Sequence, residues 1–399
     1  MDILGLLKAV FNTILLYTVT ALAPMTPGTV IWKLFKTRKG KVRLINRDLI
    51  CDTETLLKLP STGRSLDQST NSLVPFVPLF TLDYNTQWKR RHNAFVHANN
   101  KILARITEKN MNVTLPGKQG NIFWDLCEIM FKIAFELVFD RPPTVDEFND
   151  IYPGVVDVNK VIKRFSWTAN LPIRQKLYDR IITLMKESDT NFVLHDHKGF
   201  PELSDLDKVS LVGEDLITTI SIQCSDLLCH LLLLYPKYHD AFKANLDNCI
   251  NETLRLYPLS DLWIMQPFKQ ERGWITSLVQ LNRNGWSDPD TFLPERWDSK
   301  EHPPLMSWGF DVRRCPAQKM ATNIVKLVFE NIINTEGFWI QPALNFDHGR
   351  SFPFGCQAWV GYGQQPDNAA TWKFNHKFKM QFNRWVFDRL RMFDQNELV

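Results

Sequence analysis

Cys315 is the residue of this chain whose type and position best suit chemistry, because a helical pattern begins directly after it. Arg313 lies two residues before it, and the small residue Ala317 lies two residues after it. A cysteine at a helix N-terminus faces free backbone N–H groups and the positive end of the helix dipole, which lower the pKa of its thiol. Such a thiolate is a good axial ligand for iron. The segment 307–318 therefore predicts a metal-ligating loop.

A second chemical feature is the pair Glu252 and Arg255, which are three residues apart on a predicted helix over 251–256. Side chains with this spacing share one helix face and form ion pairs. On a solvated face such a pair contributes under about 1 kcal/mol. A third basic residue, Arg296, follows a proline and a glutamate further along the chain.

Together these segments resemble the signatures of the cytochrome P450 family, the haem-thiolate monooxygenases, in the family's order. Residues 307–318 resemble the cysteine-ligand loop, residues 252–255 the E-x-x-R motif and residues 294–297 the P-E-R segment. The resemblance implies that Cys315 ligates haem iron. It also implies that Glu252, Arg255 and Arg296 form a structural triad on the proximal side of the haem.

Residues 87–92 resemble the family's W-x-x-x-R helix, whose tryptophan and arginine bind a haem propionate. Trp88 matches the tryptophan, but His92 stands where arginine is expected, and the neighbouring Arg91 is an alternative partner. Histidine can donate to a carboxylate, although its charge depends on pH. Arg313 matches a further propionate partner. A basic solvated helix face is the alternative interpretation of residues 87–92.

Residues 212–234 form a long apolar stretch that corresponds to the family's distal helix, in which an acid and a hydroxyl deliver protons. Thr218 and Thr219 are the candidate hydroxyls, but no Ala-Gly pair precedes them and the acids Glu214 and Asp215 lie too early. A gapless count back from Pro236 instead places Thr219 at the acid position. Hydroxyls in helices also commonly bond the preceding turn's carbonyls.

Two departures leave the function open. Asp311 occupies a family glycine position, where the backbone turns tightly. The spans between motifs are also short, notably residues 255–294 and 236–252, so the chain is either compact or has lost internal segments. A degenerate, inactive relative is therefore one alternative. A haem-thiolate isomerase or dehydratase, which needs no NADPH, is another.

The composition indicates a globular protein with an anchored N-terminus. Of the 399 residues 44% are hydrophobic, which suits a large core, and the net charge of +4 is too small to indicate nucleic-acid binding. The seven cysteines have no framework spacing, which favours reduced thiols. Residues 1–27 are predicted as a membrane anchor, 28–45 as a basic linker and 46–399 as the catalytic domain. Because Lys8 interrupts the apolar stretch, a shallow interfacial helix is the alternative to a span.

The fold class predicted is mainly α with small β-sheets, a cytochrome P450-like fold preceded by an N-terminal membrane helix. Apolar periodicity indicates the strongest helices, and turn residues separate the strands. The predicted helices are 88–108, 121–138, 174–189, 212–234, 237–256 and 318–335, and the predicted strands lie in 273–281 and 339–382.

By resemblance, the chain inserts one oxygen atom from O2 into an apolar organic substrate. Electrons come from NADPH through a reductase, and the enzyme faces the cytosol from the endoplasmic reticulum membrane. A basic patch suits docking of an acidic reductase surface. The patch comprises residues 89–91, Arg314 and Lys319, and the predicted substrate walls are 260–268 and 352–363.

Overall fold

The computed structural model describes residues 3–21, 38–45, 47–59, 64–65, 75–82, 84–108, 113–162, 169–259, 262–266, 273–342 and 357–365. Helices make up most of these residues, as predicted. They are α1 (Ile3–Ala21), α2 (Thr53–Leu57), α3 (Thr86–Glu108), α4 (Phe123–Phe139), α5 (Val145–Ile162), α6 (Leu171–Glu187), α7 (Asp205–Ala244), α8 (Leu246–Leu256), α9 (Leu278–Leu281) and α10 (Gln318–Asn334).

Two small sheets accompany the helices. The strands are β1 (Lys41–Arg43), β2 (Arg47–Ile50), β3 (Arg64–Ser65), β4 (Lys118–Asn121), β5 (Leu262–Gln266), β6 (Gly273–Ser277), β7 (Trp339–Pro342) and β8 (Gln357–Gly361). One sheet has the order β1-β2-β6-β5-β3 and the other β4-β8-β7. The strand predicted over 273–281 ends at Ser277, because the Ser277 side chain caps the short helix α9. Strands β5 and β6, which pair antiparallel, both lie in the short span between the E-x-x-R and P-E-R motifs.

The central helix α7 lies inside the protein, and most of its buried side chains, on all sides of the helix, are apolar. Among the described residues it is the one helix long and apolar enough to cross a membrane, with a mean hydropathy of 1.6, but 89% of its most apolar window is buried. That burial is typical of a core helix. Its segments Ser210–Thr218 and Ile220–Cys224 are π-helical, and π-helical turns occur frequently at functional sites.

The predicted end of this helix at residue 234 is too early. The helical backbone continues through Pro236 to Ala244, with a non-helical residue at Tyr238, where φ is −119°. A proline inside a helix removes one hydrogen bond and kinks the axis without stopping it here. α8 then begins at Leu246, with the Asn245 side chain as its N-cap.

Helix α5 was not predicted, because prolines at 142 and 143 precede it and Pro153 lies inside it. It packs closely along α6. A Cβ on Gly154 would lie 2.7 Å from Leu177 Cδ1, so this glycine permits the close approach of the two helices. The α5–α6 pair in turn packs against the first half of α7.

The N-terminal helix α1 carries a shorter apolar stretch, Leu4–Leu15. A spanning helix needs about 20 apolar residues. Residues 22–37 lie outside the described part of the chain, so the boundary at residue 27 stays a prediction. Strand β1 falls within the predicted linker 28–45, and residues 41–43 of that linker therefore belong to the sheet.

Candidate cofactor site

The loop before α10 holds Cys315 at the start of that helix. The Cys315 N–H donates to the Trp308 carbonyl at 2.7 Å, which closes the loop on itself. Asp311 adopts a left-handed conformation with φ of +49°. Its backbone thus makes the turn that the glycine of the family motif would make, at a conformational cost that glycine avoids.

The Cys315 thiol has a raised pKa, contrary to the lowered pKa that the sequence predicts. Burial is the main cause, because it removes water from the thiolate, while the Ala317 N–H acts in the opposite direction. Desolvation therefore outweighs the helix N-terminus in this loop. A bound metal ion would reverse the balance, since a cation stabilises the thiolate directly.

Trp88, His92 and Arg313 lie together. The His92 ring stacks on the Trp88 ring with centroids 4.5 Å apart and planes 18° apart. The Arg313 guanidinium carbon is 5.3 Å from the Trp88 ring centroid. Burial, followed by the charge of Arg313, lowers the pKa of His92. This cluster of N–H donors and one fixed cation suits anionic groups of a ligand.

Arg91 cannot take the role of His92, and the prediction that it is an alternative propionate partner is wrong. Its side chain is fully buried and points to α7, where Nη2 lies 2.6 Å from the Asp215 carboxylate. Nη1 donates to the Val77 carbonyl and lies 3.7 Å from Asp207. Arg91 therefore ties α3 to α7 and contributes nothing to the surface patch.

Glu252 is the centre of a buried charge network. Arg255 donates to it through two hydrogen bonds of 2.8 Å, from Nε and from Nη2. Arg296 Nε lies 3.4 Å from the same carboxylate. The Trp297 indole N–H and the Leu293 N–H also donate to it, each at 2.9 Å. The structure thus brings the three predicted triad residues together and adds an indole donor that the sequence interpretation missed.

Polar contacts connect this network to the cysteine loop. The Ser307 hydroxyl donates to the Leu254 carbonyl at 2.7 Å. The Asn282 side chain donates to Ser307 at 2.7 Å and accepts from the Met306 N–H at 2.8 Å. Asn282 therefore fixes the loop against α8. The sequence does not predict this role, because the partners of Asn282 are 24 to 28 residues away in the chain.

The middle of α7 passes the cysteine loop. Helix α10 packs against the segment Ile220–Cys224. Burial and then the charge of Cys315 raise the pKa of Cys224 to about 12. The thiols of Cys224 and Cys315 therefore interact electrostatically. Between residues 209 and 234, all side chains are buried except those of Thr219 and Gln223, which are half-buried. These two residues are one turn apart on one face of α7.

The two threonine candidates therefore differ. The Thr218 hydroxyl is buried and donates to the Gly213 carbonyl at 2.6 Å. The Thr219 hydroxyl donates to the Glu214 carbonyl at 3.0 Å but retains partial exposure. Thr219 is the better placed of the two to reach a bound molecule. Gln223, which the sequence interpretation missed, lies one turn further on.

Two acids of α7, Glu214 and Asp215, precede the threonines, and both are buried. Asp215 binds Arg91 and accepts from the Leu79 N–H at 3.0 Å. Glu214 is fully buried, and burial together with the neighbouring Asp215 raises its pKa well above the usual value. These contacts favour a neutral Glu214 carboxyl beside the Asp215–Arg91 pair.

The two predicted substrate walls are described only in part. Residues 260, 261, 267 and 268 lie outside the described residues, and the remainder of the first wall forms β5. Residues 352–356 lie outside them as well. In the second wall, Ala358 and Val360 of β8 are buried in the core.

The residues around Cys315 fit a haem. A single thiol at a helix start supplies one axial ligand. Arg313, His92 and Trp88 supply donors for two carboxylates, and the network at Glu252 holds the loop that presents the thiol. Thr219 and Gln223, on the half-buried face of α7, are the remaining residues of the candidate haem site.

Comparisons with known proteins point the same way. The chain is 33% identical to cytochrome P450 81D1 of Arabidopsis thaliana over 103 residues, which are 22% of this chain and 20% of that protein. It is 23% identical to the cytochrome P450 monooxygenase helB3 of Aspergillus fumigatus over 284 residues, 53% of this chain and 56% of that protein. The matched regions thus span less than two thirds of these relatives. No family model matches the chain.

Solved structures show the fold more completely. A variant of cytochrome P450SP alpha superposes with a TM-score of 0.66 over 87% of this chain and 99% of that one, at 16% identity. Cytochrome P450EX alpha with myristic acid superposes with a TM-score of 0.62 over 84% and 94%, at 15% identity. At these identities the likeness concerns the fold.

Proposed function

Because this chain belongs to the cytochrome P450 family, we propose that it is a haem-thiolate monooxygenase. It inserts one oxygen atom from O2 into an apolar organic substrate, with electrons from NADPH delivered by a reductase. The observation that supports the proposal is that three sets of residues are connected to the loop and helix that hold Cys315. They are the Trp88–His92–Arg313 cluster, the Glu252 network behind the loop, and the half-buried face of α7.

Each set has its own task. When bound, haem would supply the oxygen-activating chemistry, and the Cys315 thiolate would hold its iron. Arg313 provides a permanent charge and His92 a hydrogen bond for the haem carboxylates, with Trp88 holding both side chains. The Glu252–Arg255 pair fixes the backbone of the loop. The Thr219 hydroxyl, on the half-buried face of α7, can accept and donate a proton.

The apolar environment supports the substrate class. The core around α7 consists of aliphatic and aromatic side chains, and the buried acids on this helix are already paired or neutral. An apolar molecule needs no charged partner in such surroundings, whereas a charged one would lose its hydration without compensation.

A reductase docks, in this proposal, on exposed cations of α3 and α10. These two helices pack against each other, with Lys89 and Arg90 exposed on α3 and Lys319 exposed on α10, and Arg314 is exposed in the loop before α10. Arg91 is excluded because it is buried. The double variant Lys89→Glu/Arg90→Glu should raise the reductase concentration needed for half-maximal turnover. The control Lys243→Glu, an exposed lysine of α7, should not. Equal turnover of the double variant and the wild type would dismiss the docking surface.

The proposed location is the endoplasmic reticulum membrane, with the catalytic domain in the cytosol. The apolar helix α1 and the basic residues that follow it support a membrane location. The six cysteines in the described part of the chain are free thiols, as suits a reducing compartment.

A haem-thiolate isomerase or dehydratase is the second candidate. It is favoured by one observation: Asp215 is committed to Arg91 and Glu214 is buried, so neither acid of α7 is placed to relay protons. Purified protein separates the two candidates. Turnover of an apolar substrate that requires NADPH and reductase supports the monooxygenase, and rearrangement of an organic peroxide without NADPH supports the isomerase.

A further inference from the structure

The N-terminal helix α1 has two different faces. Leu4, Leu7, Phe11 and Ile14 are 60% to 64% exposed and are spaced so that they lie along one side of the helix. Ala9, on the other side, is buried. A row of large exposed apolar side chains is costly in water and marks an interaction surface.

The buried face of α1 is attached to the β1–β2 hairpin. The Thr13 hydroxyl accepts a hydrogen bond of 3.0 Å from the Ile45 N–H, at the turn of the hairpin. Thr13 is one turn from Ala9, so these two residues define the side that faces the protein. The Ile45 side chain is itself 45% exposed.

Exposed cations lie on α1 and on the hairpin bound to it. Strand β1 is the edge strand of its sheet, and its residues Lys41 and Arg43 are both exposed and lie on the same face. Lys39 precedes them and is exposed too, and Lys8 is exposed on α1 itself. An apolar helix face together with exposed lysine and arginine is complementary to a bilayer with anionic headgroups.

We propose that α1 and the β1–β2 hairpin form one in-plane membrane surface, in which α1 lies along an anionic bilayer and does not cross it. The attachment argues against a crossing helix. If α1 spanned the bilayer, Ala9 and Thr13 would lie near its middle, and the hairpin bound to them would carry Lys41 and Arg43 into the hydrocarbon. Charged side chains and open strand edges are not tolerated there.

This inference deepens the proposed membrane location and is independent of catalysis. The test uses the full chain and vesicles of phosphatidylcholine with or without phosphatidylserine, in a flotation assay. We expect wild-type protein to float with the anionic vesicles. Phe11→Glu should lower the partition coefficient at least about tenfold, because it replaces a large apolar side chain with a charged one. The double variant Lys41→Glu/Arg43→Glu should lower it by about tenfold or more on anionic vesicles only.

The matched control is Val145→Glu, which places the same charge at a residue that is 76% exposed at the start of α5. It should bind as the wild type does. Circular dichroism shows whether each variant is folded. An alkaline carbonate wash of membranes from expressing cells then separates the two modes, because it releases an in-plane helix and retains a spanning one.

Protein retained after the wash would overturn the in-plane mode and leave the membrane location standing. If the wild-type protein floats with neither kind of vesicle, both the in-plane mode and the membrane location would be overturned. Self-association that Phe11→Glu abolishes, without vesicle binding, would assign the surface to a second copy of the chain. The carbon monoxide spectrum of the same samples reports haem binding separately, so failure of the surface is distinguishable from failure of the catalytic proposal.

Discussion

Glu252 and Arg255 form a fully buried bidentate ion pair, with Oε2 and Oε1 each 2.8 Å from a guanidinium nitrogen. Arg255 also donates to the carbonyls of Pro289 and Thr291, at 2.7 and 3.0 Å. One side chain thus binds the carboxylate of its own helix and the segment that leads to Arg296. The network explains how a loop with little regular structure presents a thiol at a fixed position.

Breaking this pair should cost more stability than breaking a surface pair. For Glu252→Gln we expect a loss of about 3–5 kcal/mol in the free energy of unfolding, because a buried guanidinium loses its charge partner. Urea denaturation followed by circular dichroism measures it. Lys326→Met, which breaks the exposed pair with Asp247 at 2.9 Å, should cost under about 1 kcal/mol. Similar losses for both variants would contradict the role assigned to Glu252.

Replacing Asp311 by glycine should stabilise the protein. Asp311 is exposed and its φ is +49°, a conformation that glycine adopts without a Cβ clash. We expect a gain on the order of 0.5–1 kcal/mol for Asp311→Gly. Asp311→Ala, the matched control, removes the carboxylate but keeps the Cβ, and it should give no gain. A thermal unfolding midpoint for the glycine variant below that of the wild type would rule out strain at this position.

The buried carboxyl of Glu214 predicts a pH dependence of stability. Its pKa is raised in the folded protein, so the folded form keeps a proton that the unfolded chain loses above its ordinary pKa of about 4.5. Stability due to this residue is complete below that pH and falls as the pH rises towards the raised value. Glu214→Gln should therefore stabilise the protein at pH 8 and have little effect at pH 4.

The size of this effect follows from the linkage between pKa and stability. Each unit of pKa shift corresponds to about 1.4 kcal/mol, so a gain of at least about 1 kcal/mol is expected at pH 8. Glu128→Gln, which removes an exposed carboxylate paired with Lys132, is the control and should change stability by less than about 0.5 kcal/mol at either pH. An equal gain at pH 4 and pH 8 would show that packing, and not ionisation, is responsible.

Thr219 and Thr218 should respond differently to loss of the hydroxyl. The Thr219 side chain is half-buried, whereas the Thr218 side chain is buried and its hydroxyl donates to the Gly213 carbonyl. With any apolar substrate that the enzyme turns over, Thr219→Val should lower product formed per NADPH by about tenfold or more, as expected for removal of a proton-transfer group. Thr218→Val should lower stability and leave this ratio within about twofold of the wild type. Equal ratios for both variants would remove Thr219 from the proposal.

Most of the correct predictions from the sequence came from the short motifs and from the apolar pattern of the chain. The comparisons support the resemblance to the cytochrome P450 family, and the structure confirms the mainly helical fold and the small sheets. These features depend on local patterns: a helix beginning after Cys315, two residues three apart, a long apolar run. The assigned roles of the site residues stay predictions, although the structure brings the triad together and places Trp88, His92 and Arg313 in one cluster.

What the sequence could not give depends on contacts between distant segments. Arg91 looks like one more surface cation in the chain, but its partner Asp215 is 124 residues away. The contacts of Asn282 with the cysteine loop and the half-buried position of Gln223 become visible only in the folded protein. The pKa of Cys315 was predicted in the wrong direction because the helix start is visible in the sequence whereas burial is not.

The central claim is that Cys315 ligates haem iron, and a carbon monoxide difference spectrum of the reconstituted protein tests it most directly. The reduced wild type should take up haem and show the strongly red-shifted Soret band of a thiolate ligand. Cys51→Ala, which changes a thiol buried elsewhere, should show the same band, and Cys315→Ala should lose it. A Cys315→Ala protein that keeps the red-shifted band, or a folded wild type that takes up no haem, would contradict the account.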